Sequence, residues 1–235
     1  VDKKVIINGL KKITFKDIRL EKVLTNVREY LCNKITKNEE KISYSELKFI
    51  IALGEQCFLN EYVYSLTKEE KKSLKTIIKR SQDNKLSESN ISILSCYFPL
   101  YKLLDQIPSL KFFNSSNQSF QELIDLQIKE PLKEIELSKN IKILGLINDD
   151  ISQKVKSQYE ENPYPRWRYG YHSGSRKISI VEAINCEIKP NYISKTSLND
   201  ELKVLIAGCG TGSQILQAQR YKNAQITAID LSLSS

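Results

Sequence analysis

From about Phe15 to Tyr159 the apolar residues recur at the spacing of helix faces, and near the end of the chain they gather into two short runs. Leu47, Ile50, Ile51, Gly54, Cys57 and Phe58 predict a helix with one apolar face. Leu74, Ile77 and Ile78 predict another, and Thr67 with Glu70 supplies a capping box ahead of it. Ser119 with Glu122 repeats that signature before Leu123, Leu126 and Ile128. Pro99 and Pro131 mark kinks or helix starts, because proline lacks the amide that a helix interior needs. Residues 114–117, Asn-Ser-Ser-Asn, read as a loop. Asp150 reads as the cap of a helix carrying Ile151, Val155 and Tyr159, which Pro163 ends. No fixed internal period is present, so a helical repeat array is not supported within this window.

The two short runs differ from everything before them. Val204 to Ala207 reads as a buried strand and is followed by glycine at alternate positions, Gly208, Gly210 and Gly212. A helical pattern from Gln214 to Tyr221 leads to a second apolar run, Ile226 to Ile229, which ends in Asp230. Strand, glycine turn, helix, strand and acid form the nucleotide-binding half of a doubly wound α/β sheet. Glycine permits positive φ and lets a ligand approach where a Cβ would collide. An acid at the tip of the second strand can accept both hydroxyl hydrogen bonds of a ribose.

The glycine spacing narrows the ligand. A dinucleotide fingerprint is G-x-G-x-x-G, whereas here the spacing is G-x-G-x-G and Ser213 takes the position of the third glycine. This pattern resembles motif I of the class I S-adenosylmethionine-dependent methyltransferases. The resemblance implies that the loop Gly208, Cys209, Gly210, Thr211 and Gly212 lies against the methionine part of S-adenosyl-L-methionine. It further implies that Asp230, with Leu231 beside it, holds the ribose end of that cofactor. Cys209 and Thr211 act there through their backbone. Ile206 departs from the family, many of whose members carry an acid at that position to meet the cofactor amine.

A second informative segment precedes the strands. Residues 158–167 place Tyr159, Asn162, Pro163, Tyr164, Pro165, Arg166 and the only tryptophan, Trp167, in a stiff extended strip. Amino-methyltransferases that modify bases carry an Asn-Pro-Pro-Tyr-like loop after an apolar strand. The preceding residues here are polar and helical, and the order is Asn-Pro-Tyr-Pro, so that likeness is superficial. Taken with residues 56–64 (Gln-Cys-Phe-Leu-Asn-Glu-Tyr-Val-Tyr), the strip and the glycine motif look like the tetratricopeptide-repeat-containing class I methyltransferases of bacteria. The likeness runs from about Lys41 onward. It implies helical repeats ahead of Val1, through which a protein partner would bind, and the remainder of the catalytic sheet beyond Ser235. Tyr159, Asn162, Tyr164 and Arg166 are candidates for a lid over the methyl-transfer site. The competing reading is that the strip only packs one part of the chain on another.

The expected architecture is therefore α/β: an all-α region over residues 1–150, a helix and linker over 151–198, and the first strand–helix–strand unit of a truncated Rossmann-like methyltransferase sheet over 199–235. The chain is read as an internal fragment, because it contains no methionine and a unit of about thirty residues cannot cover both faces of its own sheet. The acceptor, the acceptor-activating base and the oligomeric state are not assigned, and the base is expected on later strands.

Composition and charge add exclusions. With 40% hydrophobic and 27% charged residues the chain has the make-up of a globular domain, and its longest apolar runs are far too short to span a bilayer. Five cysteines, Cys32, Cys57, Cys96, Cys186 and Cys209, stand singly, which favours a reducing cytoplasm over a disulfide framework. His172 is the only histidine, so no histidine metal cluster is expected. The net charge of +8 is spread among acids, as in residues 68–72, Lys-Glu-Glu-Lys-Lys, and no nucleic-acid signature accompanies it. Two further functions compete with methyl transfer: a helical interaction scaffold with a degenerate Rossmann portion, which Ile206 favours, and an NAD-dependent oxidoreductase, which the glycine spacing disfavours.

Overall fold

The computed structural model describes residues 3–37, 41–83, 86–161, 163, 166, 176–190, 192–194 and 202–234. The chain divides into two compact units, Val1–Lys142 and Ile143–Ser235. The first is α-helical among its described residues; the second contains helices and a two-stranded parallel sheet. No described helix is long and apolar enough to cross a membrane.

In the first unit, helices α1 (Lys3–Lys12), α2 (Ile18–Lys37), α5 (Glu88–Ser95) and α6 (Gln118–Ile124) pack against α3 (Tyr44–Leu59), and α4 (Lys68–Gln82) packs on α2 and α5. Every residue from Ile50 to Leu59 is buried, so the second half of α3 is enclosed on all sides instead of presenting the single apolar face its spacing predicts. Gly54 makes this possible: a Cβ there would lie 2.0 Å from Ser95 Oγ and 3.5 Å from Leu123 Cδ1, so α5 and α6 could not approach as they do. Ser43 and Glu46 form a capping box that starts α3, and Lys34 Nζ donates to Glu46 Oε1 at 2.9 Å. The Lys34 ammonium and the Ser43 backbone and hydroxyl donors hold the Glu46 carboxyl down to about 2.

Local capping chemistry explains where two other helices begin. Thr67 and Glu70 form the expected capping box at α4. The expected Ser119–Glu122 box does not form. Asn117 Oδ1 accepts from Phe120 N, the helix begins at Gln118, and Ser119 sits inside the first turn. Beyond α6 the path continues through a π-turn, Asp125–Lys129, into α7 (Glu130–Ser138), with Pro131 in its first turn.

Two buried polar groups tie this unit together. Gln127, fully buried on the π-turn, donates to Gly54 O at 2.8 Å and Ser95 O at 3.1 Å and accepts from Leu100 N at 3.3 Å and Tyr62 OH at 3.2 Å. Arg28 pairs with Glu70, 3.2 Å from Nη2 to Oε1, and its guanidinium lies 4.2 Å from the Tyr97 ring centroid. Tyr97 OH donates to the same Glu70 oxygen at 2.6 Å. Burial pushes the Cys32 thiol up to about 11 and raises Cys96 too, so both pack as small apolar groups. Residues 56–60 and Tyr64 are part of this interior, Glu61 and Tyr62 are half-buried, and Val63 is exposed. Gln56 donates its amide to the carbonyls of Leu10 and Ile13, and Glu61 and Tyr62 turn the chain out of α3 with φ of 56° and 57°.

In the second unit, α8 (Asp150–Glu161) is capped one residue earlier than expected, by Asp149 Oδ2 accepting from Ser152 N at 2.7 Å, and it stops before the buried Pro163. Residues 141–149, included in the helical reading of the sequence, form no helix or strand and are exposed except for the half-buried Ile147. Helix α9 (Ile180–Glu187) starts from a capping box of Ser179 and Glu182. Strand β1 (Leu202–Ala207), α10 (Ser213–Ala218) and β2 (Ala224–Ile229) follow.

Replacing Gln127 with Leu removes the side-chain donor to the carbonyls of Gly54 and Ser95 and the acceptor of the Leu100 amide. Denaturant unfolding of Gln127→Leu is expected to show a loss of about 2–4 kcal/mol, the cost of removing several buried hydrogen bonds. A loss below about 0.5 kcal/mol would mean these bonds contribute little.

Candidate functional site at the glycine loop

Strands β1 and β2 pair in parallel, with Leu202 beside Ala224 and Ala207 beside Ile229, so both end at the same level. Exposure alternates along β1. Leu202, Val204 and Ile206 are half-buried, and Lys203, Leu205 and Ala207 face out. Ile206, the departure from the family pattern, thus belongs to the more buried face.

The loop after β1 turns back on the end of β2. The amides of Gly208 and Cys209 both donate to Ile229 O, at 2.9 and 3.1 Å, and Gly212 N donates to Cys209 O at 3.1 Å. Gly212 O then accepts from Ile215 N and Leu216 N and begins α10. Gly208, Gly210 and Gly212 have φ of 68°, 50° and 91°, in the left-handed region that side-chain-bearing residues rarely adopt. A Cβ on Gly208 or Gly210 would meet nothing within 4 Å. Backbone conformation therefore requires these glycines, and the space over the first two is open.

Asp230, exposed directly after β2, joins the two halves of the site. Its Oδ2 accepts from Gly210 N at 2.8 Å and its Oδ1 from Ser232 N at 3.0 Å. Each oxygen retains a lone pair after accepting one amide. Ser232 is buried and escaped the sequence reading, although Asp-x-Ser after a strand is a turn signal of the Asx type. Cys209 and Thr211 are half-buried and Leu231 is exposed. Burial first, and then the Asp230 charge, raise the Cys209 thiol above its ordinary range, so it is not an activated nucleophile.

The structure brings Gly208 through Gly212 together with Asp230 and Leu231. It does not bring Tyr159 to them by any hydrogen bond among the described residues: Tyr159 lies partly exposed near the end of α8. Arg166 is half-buried; Asn162, Tyr164 and Trp167 lie outside the described residues. A depression of about 640 Å³ opens toward the amino end of β2, lined by Lys177, Gln219, Tyr221, Asn223, Ala224 and Ile226. It touches no residue of the glycine loop. No three His, Cys, Asp or Glu side chains among the described residues are placed to hold a metal ion.

The left-handed φ at Gly210 sets a measurable cost. Gly210→Ala is expected to weaken the loop by about 1–2 kcal/mol. Hydrogen exchange at the residue-210 amide, which is bonded to Asp230, should then quicken about tenfold; an unchanged rate would show that the loop is held by other contacts.

No protein-family model, no curated protein and no solved structure matches the chain.

Proposed function

We propose that the strand–loop–helix–strand unit is the cofactor-binding part of a class I, Rossmann-like methyltransferase, and that the glycine loop receives S-adenosylmethionine. The observation that carries this reading is the joining of Gly210 to Asp230. The loop is tied to the acid by one carboxylate lone pair, while the remaining pairs are free to accept two vicinal hydroxyl groups. Residues 208–212 would meet the methionine part with backbone alone, which suits a zwitterion that needs close approach more than strong charge. The helix that follows supports the same ligand: α10 has only six residues, few aligned peptide dipoles with which to hold a pyrophosphate.

The chemistry asks little of the loop itself. The acceptor's electron pair displaces the sulfonium methyl in line, S-adenosylhomocysteine leaves with the bonding pair, and the acceptor proton passes to a base or to water. The protein's part is alignment and exclusion of water. Tyr159, Asn162, Tyr164 and Arg166 remain the candidates for covering that site, with cation–π attraction of about 0.5–2 kcal/mol available from an aromatic ring facing the sulfonium. The acceptor is not assigned.

A second reading, a helical scaffold whose α/β unit has lost its ligand, draws on Ile206, which offers the cofactor amine no carboxylate and sits on the more buried face of β1. Calorimetric titration separates the two. S-adenosylmethionine is expected to bind and NAD not to, and Asp230→Ala is expected to lower affinity by about 1–3 kcal/mol through lost hydrogen bonds. Undiminished affinity in a folded Asp230→Ala variant removes Asp230 from the site, and absence of binding to the unaltered chain favours the scaffold.

A further inference from the structure

The depression at the amino end of β2 has no part in the glycine loop, and its wall is fixed by a single parallel bridge. Ile178 N donates to Arg220 O and Lys222 N donates to Ile178 O, both at 2.9 Å. The bridge gathers basic residues from two segments, Arg176 and Lys177 from one and Arg220 and Lys222 from the other. Within residues 176–182 and 219–226 the one acid is Glu182, and it is committed to starting α9. Its Oε2 accepts from Ser179 N at 2.8 Å and Ser179 Oγ at 3.1 Å, and its Oε1 lies 3.9 Å from Arg176 Nη2. The Ser179 donors hold its carboxyl below the usual carboxylate range, and the charges of Lys222 and Arg176 add to that. Lys177, Arg220 and Lys222 make no ion pair among the described residues. The Arg220 guanidinium lies 5.4 Å from the Tyr221 ring centroid, and its Nε is buried with no acceptor among those residues.

The lining divides by chemistry. Lys177 brings an ammonium and Gln219 and Asn223 bring side-chain amides, all hydrogen-bond donors. Tyr221, Ala224 and Ile226 add apolar surface, the last two from one face of β2. Donors in an uncompensated positive field suit an anion with several acceptor oxygens, and the apolar wall suits an organic group attached to it. A phosphate monoester meets both demands, with a charge of about −1.5 to −2 and three acceptor oxygens. A phosphate bridged on both sides, as in a dinucleotide, offers a single charge and two free oxygens. We propose that this depression is a second ligand site and that it takes a small organic phosphate monoester. Its volume of about 640 Å³ falls within the range of small-molecule sites. Strands of six residues set it on the order of 20 Å from the glycine loop, so its ligand is separate from the methyl donor. The proposal therefore does not rest on the methyltransferase reading.

Amide chemical-shift mapping on the 235-residue chain, titrated with phenyl phosphate at about pH 7.5, tests this. The probe has no ribose or methionine part to offer the glycine loop. Saturable shifts are expected at Lys177, Tyr221, Lys222 and Asn223, with Gly208, Gly210 and Gly212 unmoved. Phenyl sulfate, similar in shape but singly charged, should bind about tenfold more weakly, and phenol not at all. Lys177→Ala should also weaken phenyl phosphate about tenfold, and Lys177→Arg should keep most of the affinity. Lys177 is exposed, so neither change threatens the fold. Shifts that grow with concentration and never saturate overturn the proposal. So does equal binding of phenyl sulfate, which would reduce the site to general counter-ion attraction, or an affinity indifferent to Lys177→Ala.

Discussion

Backbone groups at interruptions of helices and strands find side-chain partners, and in each unit one such residue bonds several of them at once. In the helical unit it is Gln127, whose buried amide serves Gly54, Ser95 and Leu100 and also receives the Tyr62 hydroxyl. In the α/β unit it is Asp230, whose carboxylate receives the amides of Gly210 and Ser232. Both stand where regular structure is interrupted: a π-turn in one case, the end of a strand in the other. The packing of α3 against α5 and α6 relies on the first, and the geometry of the glycine loop on the second.

The functional reading follows from the second of these. A loop with three left-handed glycines would have many conformations if nothing selected one. The Gly208 and Cys209 amides on Ile229 O and the Gly210 amide on Asp230 select it before any ligand arrives. Gly210 is therefore best explained by its backbone angle, with ligand crowding unnecessary as a reason. The same geometry gives Cys209 no activation as a nucleophile, because burial first and the Asp230 charge second push its thiol up.

Features governed by neighbours in sequence were legible; those governed by neighbours in space were not. The Thr67–Glu70 box, the two strands and the glycine turn each depend on residues a few positions apart, and their spacing predicts them. Two boxes of equal clarity, Ser43–Glu46 and Ser179–Glu182, carry the same signal. The Ser119–Glu122 pattern misled because Asn117 caps the helix two residues earlier, a competition that spacing alone does not resolve. Periodicity predicts one apolar face for α3, whereas enclosure by α1, α5 and α6 buries all of its second half. Ser232 and Gln127 matter through partners that only folding brings near. Residues 141–149 fall within the helical pattern of the sequence, yet they form no helix: the stretch centres on Gly145 and bears β-branched isoleucines, both poor in a helix interior.

Binding of the ribose- and methionine-bearing cofactor at the loop between β1 and α10 is the central expectation. Amide chemical-shift mapping during titration with S-adenosylhomocysteine addresses this residue by residue. Saturable shifts are predicted at Gly208, Gly210, Gly212, Asp230 and Leu231, with none at Tyr221 or Asn223 beside the depression at the amino end of β2. Shifts confined to that depression, or a glycine loop that responds to NAD and not to S-adenosylhomocysteine, would contradict it.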